Sequence, residues 1–77
     1  MTLELQPVAV ATSEPVDGFL VFAEGRLVAV ISQLTALHGD KAGWWFLEKG
    51  FGRLDRPDPP LFPTRAEAEA WMAGVLG

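Results

Sequence analysis

Apolar residues along the chain fall into four stretches, and the spacing within each names the element it predicts. The first, Leu3-Glu4-Leu5-Gln6 and then Val8-Ala9-Val10, partly alternates with period two, as a half-buried strand does. Pro7 interrupts it and has no amide proton to give to a ladder, so the segment is predicted as an edge strand with a bulge. Thr12-Ser13-Glu14-Pro15-Val16-Asp17-Gly18 is a loop by composition.

Phe19-Leu20-Val21-Phe22-Ala23 and Arg26-Leu27-Val28-Ala29-Val30-Ile31 are rich in aromatic and branched residues and are separated only by Glu24-Gly25. Two such runs around a two-residue connection ending in glycine predict a β-hairpin, because glycine supplies the positive φ of the turns that match strand twist. A second loop, Thr35 to Gly43, contains His38-Gly39-Asp40. Trp44-Trp45-Phe46-Leu47-Glu48 then reads as a strand, with Lys49-Gly50 as its turn and Phe51-Gly52-Arg53-Leu54 as its return. Gly50 and Gly52 around Phe51 mark a bulge or kink. Asp55 to Pro60 carries three prolines among six residues and is stiff and extended.

The last stretch has helical spacing. Thr64-Arg65-Ala66-Glu67 fits a capping box, and Ala68, Trp71, Met72 and Val75 fall at i, i+3, i+4 and i+7 on one stripe. Strands first and a helix last predict an α+β fold: a small antiparallel sheet of four strands, or five with Leu3–Val10, two hairpins, and one C-terminal helix packed on one face. Residues 1–77 make a single domain, since so short a chain cannot build a second core.

With a Glu24-Gly25 turn and a regular register, Phe22 pairs with Leu27, Val21 with Val28, Leu20 with Ala29 and Phe19 with Val30. One face then shows Leu20, Phe22, Leu27, Ala29 and Ile31, and the other Phe19, Val21, Val28 and Val30. Both are apolar, and the third strand likewise puts Trp44 and Phe46 on one side and Trp45 and Leu47 on the other. One helix has one stripe and covers one face. The second face needs the N-terminal segment folded across it, closure into a barrel, or another chain. Association is the expectation, in its most economical form a twofold homodimer through sheet faces or edges. The helix back carries Ala66, Ala70, Ala73 and Gly74, small residues that suit either close packing or a plain solvated face.

Composition sharpens this picture. The chain is 49% hydrophobic and 21% charged, too apolar for a disordered tail. Six Lys+Arg against ten Asp+Glu give a net charge of -4, which disfavours nucleic acid as a partner. No cysteine is present, which removes disulfides, thiolate metal sites and cysteine nucleophiles. The longest apolar run, Leu27 to Ile31, is far below the roughly 20 residues of a membrane span, and the first residues lack the basic start of a secretory signal. The expected setting is the cytoplasm, without membrane contact.

Little in the sequence points to catalysis. His38 and Asp40 could in principle act as base and orienting acid, yet only Ser32 and Thr35 lie near them as nucleophiles, and a solvated turn explains the same residues. One histidine and scattered carboxylates give no metal-ligand spacing; Asp55 and Asp58 around Arg56-Pro57 serve loop solubility. Gly50-Phe51-Gly52-Arg53 lacks the third glycine and the following helix of a phosphate cradle, and no cofactor is implied. Among the tryptophans, Trp71 belongs to the helix stripe, while Trp44 and Trp45 face opposite ways. The helix entry Phe62-Pro63-Thr64-Arg65-Ala66-Glu67-Ala68 is similar to those of HicB-type antitoxins and of the arm-type DNA-binding domains of phage integrases; capping alone accounts for these residues, and no family is assigned on them.

The expected function is therefore a non-catalytic interaction module, homodimeric or bound to a protein partner through an apolar sheet face, with Phe19, Val21, Val28, Val30 and Trp45 as candidate interface residues. The second reading is a nucleic-acid or nucleotide-binding module that stacks bases on Trp44 or Trp45 with Lys49 and Arg53 as cations.

Overall fold

Every strand pairs with its neighbour in sequence. The computed structural model describes residues 2–11 and 15–77, with the backbone alone at Pro15 and Val16. Within it β1 (Leu3–Ala11), β2 (Pro15–Ala23), β3 (Arg26–Gln33) and β4 (Trp45–Gly50) form one antiparallel sheet in the order β1-β2-β3-β4, and α1 (Arg65–Leu76) completes the α+β fold. Residues 12–14 of the expected first loop lie outside the described residues, and β2 already begins at Pro15.

The central hairpin follows from its turn. Glu24 (φ 52°) and Gly25 (φ 77°) both occupy the left-handed region, the geometry whose twist matches that of the flanking strands. Ala23 pairs with Arg26 and Phe22 with Leu27, after which the register shifts and Val21 pairs with Ala29. Val28 is thus an extra residue, a β-bulge. A second bulge separates Val30↔Lys49 from Ile31↔Leu47 and leaves Glu48 as the extra residue of β4.

β1 corrects one expectation. Its register with β2 runs without a shift from Leu3↔Ala23 to Ala11↔Pro15, with Pro7 opposite Phe19. No bulge is needed at Pro7, because in a regular ladder its nitrogen faces away from β2, where no partner strand lies.

The predicted second hairpin is also replaced. The Phe51 amide still donates to the Val28 carbonyl at 2.9 Å, but Gly52–Leu54 then forms a 3-10 turn that opens with Gly52 at φ 59°. This turn folds back over Gly50, where a Cβ atom would overlap the Leu54 carbonyl, and it drops the Leu54 side chain into the core. Glycine at position 50 therefore permits the close approach, and the chain leaves the sheet instead of returning along it. Beyond the prolines, Phe62 exchanges two backbone hydrogen bonds with Trp45 (2.7 and 3.0 Å) on the outer edge of β4.

The helix starts where predicted. The Glu67 amide donates to Thr64 Oγ1 at 3.1 Å, while the Glu67 carboxylate accepts from the Thr64 hydroxyl at 3.4 Å and not from the backbone amide of a full capping box. Ala68 and Met72 are fully buried; Trp71, Val75 and Leu76 are half-buried against the core. The core joins Val21, Ala29, Ile31, Trp45 and Leu47 of the sheet to Leu54, Phe62, Ala68 and Met72.

Two substitutions test these local arguments. Glu24→Asn places a residue tolerant of left-handed backbone in the turn and is expected to stabilise by about 0.5–1 kcal/mol, raising the thermal midpoint by a few degrees. Gly50→Ala is expected to cost on the order of 3 kcal/mol, because backbone must move to admit the methyl group; chemical denaturation measures it.

Candidate association face

The bulge at Val28 decides which side chains share a face. In a regular register Val21 would look the same way as Val28 and Val30; with one extra residue in β3 it shares its face with Ala29 and Ile31. Those are the residues that α1, Leu54 and Phe62 cover. The opposite face carries Leu20 and Phe22 of β2, Leu27 and Val30 of β3, and Phe46 of β4. None of these five belongs to the core or packs against it. Leu27 is 38% exposed and the other four are half-buried. Among the described residues no helix or further strand lies over them.

The five expected interface residues are accordingly redistributed. Val21 (0% exposed) and Trp45 (9%) are core, and Phe19 and Val28 pack at its rim. Only Val30 lies on the open face. One face of the sheet is apolar and uncovered, but the bulge mixes the two expected sets, joining Leu20, Phe22 and Leu27 of one to Val30 of the other, and the N-terminal segment is an edge strand and not a cover.

Polar groups on the open face sit at known rungs. The buried Ser32 hydroxyl donates to the Glu48 carboxylate at 2.7 Å, across the β3–β4 pairing. Lys49 stands opposite Val30 with its ammonium 5.5 Å from the Phe51 ring centre, and Phe51 is 42% exposed. On the far edge Glu4 is opposite Phe22 and Gln6 opposite Leu20, both exposed. The face thus has an apolar centre, an exposed acid on the β1 edge and an exposed cation on the β4 edge.

Residues of the second reading are not brought together. Trp45 is buried, and Trp44 has the Lys41 ammonium over its ring at 3.8 Å. Five steps of extended chain carry Lys49 about 17 Å from Trp44. Arg53 projects from the 3-10 turn, where its carbonyl accepts from Arg56 Nε at 3.1 Å. His38 and Asp40 are both exposed in the 3-10 turn Ala36–Lys41, and Ser32 is engaged with Glu48.

One depression lies on the helix side, beyond the N-terminus of α1. It has a volume of about 510 Å3, and its walls include Pro7, Phe19, Trp45 and Arg65. Arg65 fills part of it, holding Glu69 at 3.3 Å and lying 4.8 Å over the Phe19 ring. Among the described residues no three His, Asp or Glu side chains come together as a metal site, and no helix is long and apolar enough to cross a membrane. No protein-family model matches the chain, and no curated protein or solved structure matches it either.

The assignment of faces makes a direct energetic difference. Ile31→Ala empties a fully buried site and is expected to cost about 2–5 kcal/mol, whereas Val30→Ala on the adjacent, open side should cost under about 1 kcal/mol. Urea denaturation of the two variants under conditions where the protein is monomeric checks the difference.

Proposed function

We infer that this protein is a non-catalytic interaction module that self-associates through the open face of its sheet. The observation that supports this most is that Leu20, Phe22, Leu27, Val30 and Phe46 share one face and none of them contacts the core. Isolated surface leucines are ordinary; five neighbouring apolar side chains on one face are not.

The edges of the sheet favour the face over edge pairing. A strand added to β1 would meet Pro7 in the middle of the edge, where no amide proton is offered. One end of the β4 edge is already taken by Phe62, and Pro57 and Pro59 stand across a groove of about 290 Å3 from Phe46–Gly50. Both edges are blunted in the way that soluble sheets limit strand addition.

Size sets the strength. Four strands spaced about 4.8 Å apart and six residues of about 3.3 Å each define a face of roughly 400 Å2. A standard stable interface takes about 800 Å2 from each partner, so the association is reversible and in the micromolar range. Sedimentation at rising concentration should show a shift from 8.4 kDa to twice that mass. Phe22→Glu should hold the protein at the lower mass with its circular dichroism unchanged, since Phe22 is no part of the core. A wild-type chain that stays monomeric at several hundred micromolar ends this reading.

A further inference from the structure

We propose that the two copies meet face to face about a twofold axis parallel to the strands, so that β1 of each protomer lies over β4 of the other and Lys49 comes within reach of the partner's Glu4, one rung away. This rests on self-association through the open face and specifies its geometry.

Twisted sheets that pack face to face keep their strands roughly aligned, which leaves two simple placements of the axis in the plane between them. With the axis across the strands at the central rung, that of Lys49, Val30 and Leu20, β4 lies over its own copy and Lys49 faces the partner's Lys49. With the axis along the strands, the order β1-β2-β3-β4 is laid over its reverse, and the two edges exchange. The rungs then stay level. Lys49 is on the rung of Val30, Leu20 and Gln6, and Glu4 is one rung further, beside Phe22. One rung is two residues, about 7 Å, within the reach of a lysine side chain. The same placement sets the central Leu20, Phe22, Leu27 and Val30 against their counterparts.

Glu48 fits the arrangement. It shares the β4 edge with Lys49, but its carboxylate is tied back by the Ser32 hydroxyl at 2.7 Å, which leaves Lys49 as the group that projects. Like charges facing each other disfavour the wrong arrangement, and the rim charges thereby set orientation more than affinity.

Charge reversal tests the geometry. Because twofold symmetry repeats each contact, Glu4→Lys or Lys49→Glu alone converts two attractions into two repulsions, and the dimer dissociation constant should rise about tenfold or more. The double variant Glu4→Lys/Lys49→Glu restores both contacts with reversed sign and should return to within about threefold of wild type. Asp40→Lys, an exposed site on the 3-10 turn with the same change in net charge as Glu4→Lys, should leave the constant unchanged or lower it. Analytical ultracentrifugation measures all four, with circular dichroism to show that each is folded. If the double variant stays as weak as the weaker single variant, the geometry is wrong. If the single variants bind like wild type while Phe22→Glu still dissociates, the geometry is likewise wrong and the open-face reading stands. A monomeric wild-type chain removes both.

Discussion

A single amphipathic helix can cover one face of a sheet, and this chain has one helix for a sheet that is apolar on both. The twelve residues of α1 make a cylinder about 18 Å long and 10 Å wide, while four strands span about 19 Å. The helix is too narrow even for the face it covers. Leu54 and Phe62 supply the missing width, and the awkward path of the chain after β4 follows from that need. The 3-10 turn at Gly52–Leu54 delivers Leu54, the prolines carry the chain on without entering the sheet, and Phe62 is pinned to Trp45 by two backbone hydrogen bonds. Leu3 and Leu5 of β1 remain only half-buried at the rim.

The two bulges belong to the same problem. A bulge raises the local twist and changes which residues share a face. At Val28 it sets Ala29 and Ile31 beside Val21, on the face that Ala68 and Met72 of the helix cover. At Glu48 it turns a carboxylate toward the Ser32 hydroxyl while Leu47 stays in the core. The register is therefore a consequence of packing, not of the turn, which fixes only the first two rungs.

That division explains what could be read from residues alone. The turn at Glu24-Gly25, the cap at Thr64 and the stripe of Ala68 and Met72 are local, and each is visible in a few adjacent residues. The bulge at Val28 left no such trace, because in a strand reading Arg-Leu-Val-Ala-Val-Ile either parity is apolar and no polar residue marks the wet side. A regular register therefore assigns Val21 to the wrong face, and with Trp45 it lies in the core and not at an interface. Gly50 and Gly52 did signal an irregularity. Its nature, a turn closing onto the strand, depends on Leu54 reaching a cavity that exists only once the helix has docked. Pro7 reads as a defect in the sequence alone, because its effect depends on whether a neighbouring strand lies on its nitrogen side, and that is set by strand order.

An uncovered apolar face is ordinarily a hazard, and the placement of charge and proline around this one determines what it can become. Edge-to-edge pairing of sheets is open-ended: each added strand presents a new edge, and growth continues. Face-to-face pairing about a twofold axis consumes the surface that makes it, and stops at two. Proline at the centre of β1 and Phe62 on β4 act against the first mode and leave the second untouched. Charge favours the proposed geometry, since the open face carries an exposed Glu4 at one edge and, at the other, an exposed Lys49 beside a Glu48 held by Ser32, around an apolar centre of Leu20, Phe22, Leu27 and Val30. A net charge of -4 adds a weak general repulsion that only a specific, complementary contact overcomes. In the proposed pair, the same hydrophobicity that would drive aggregation of a flat sheet is used up in a closed contact.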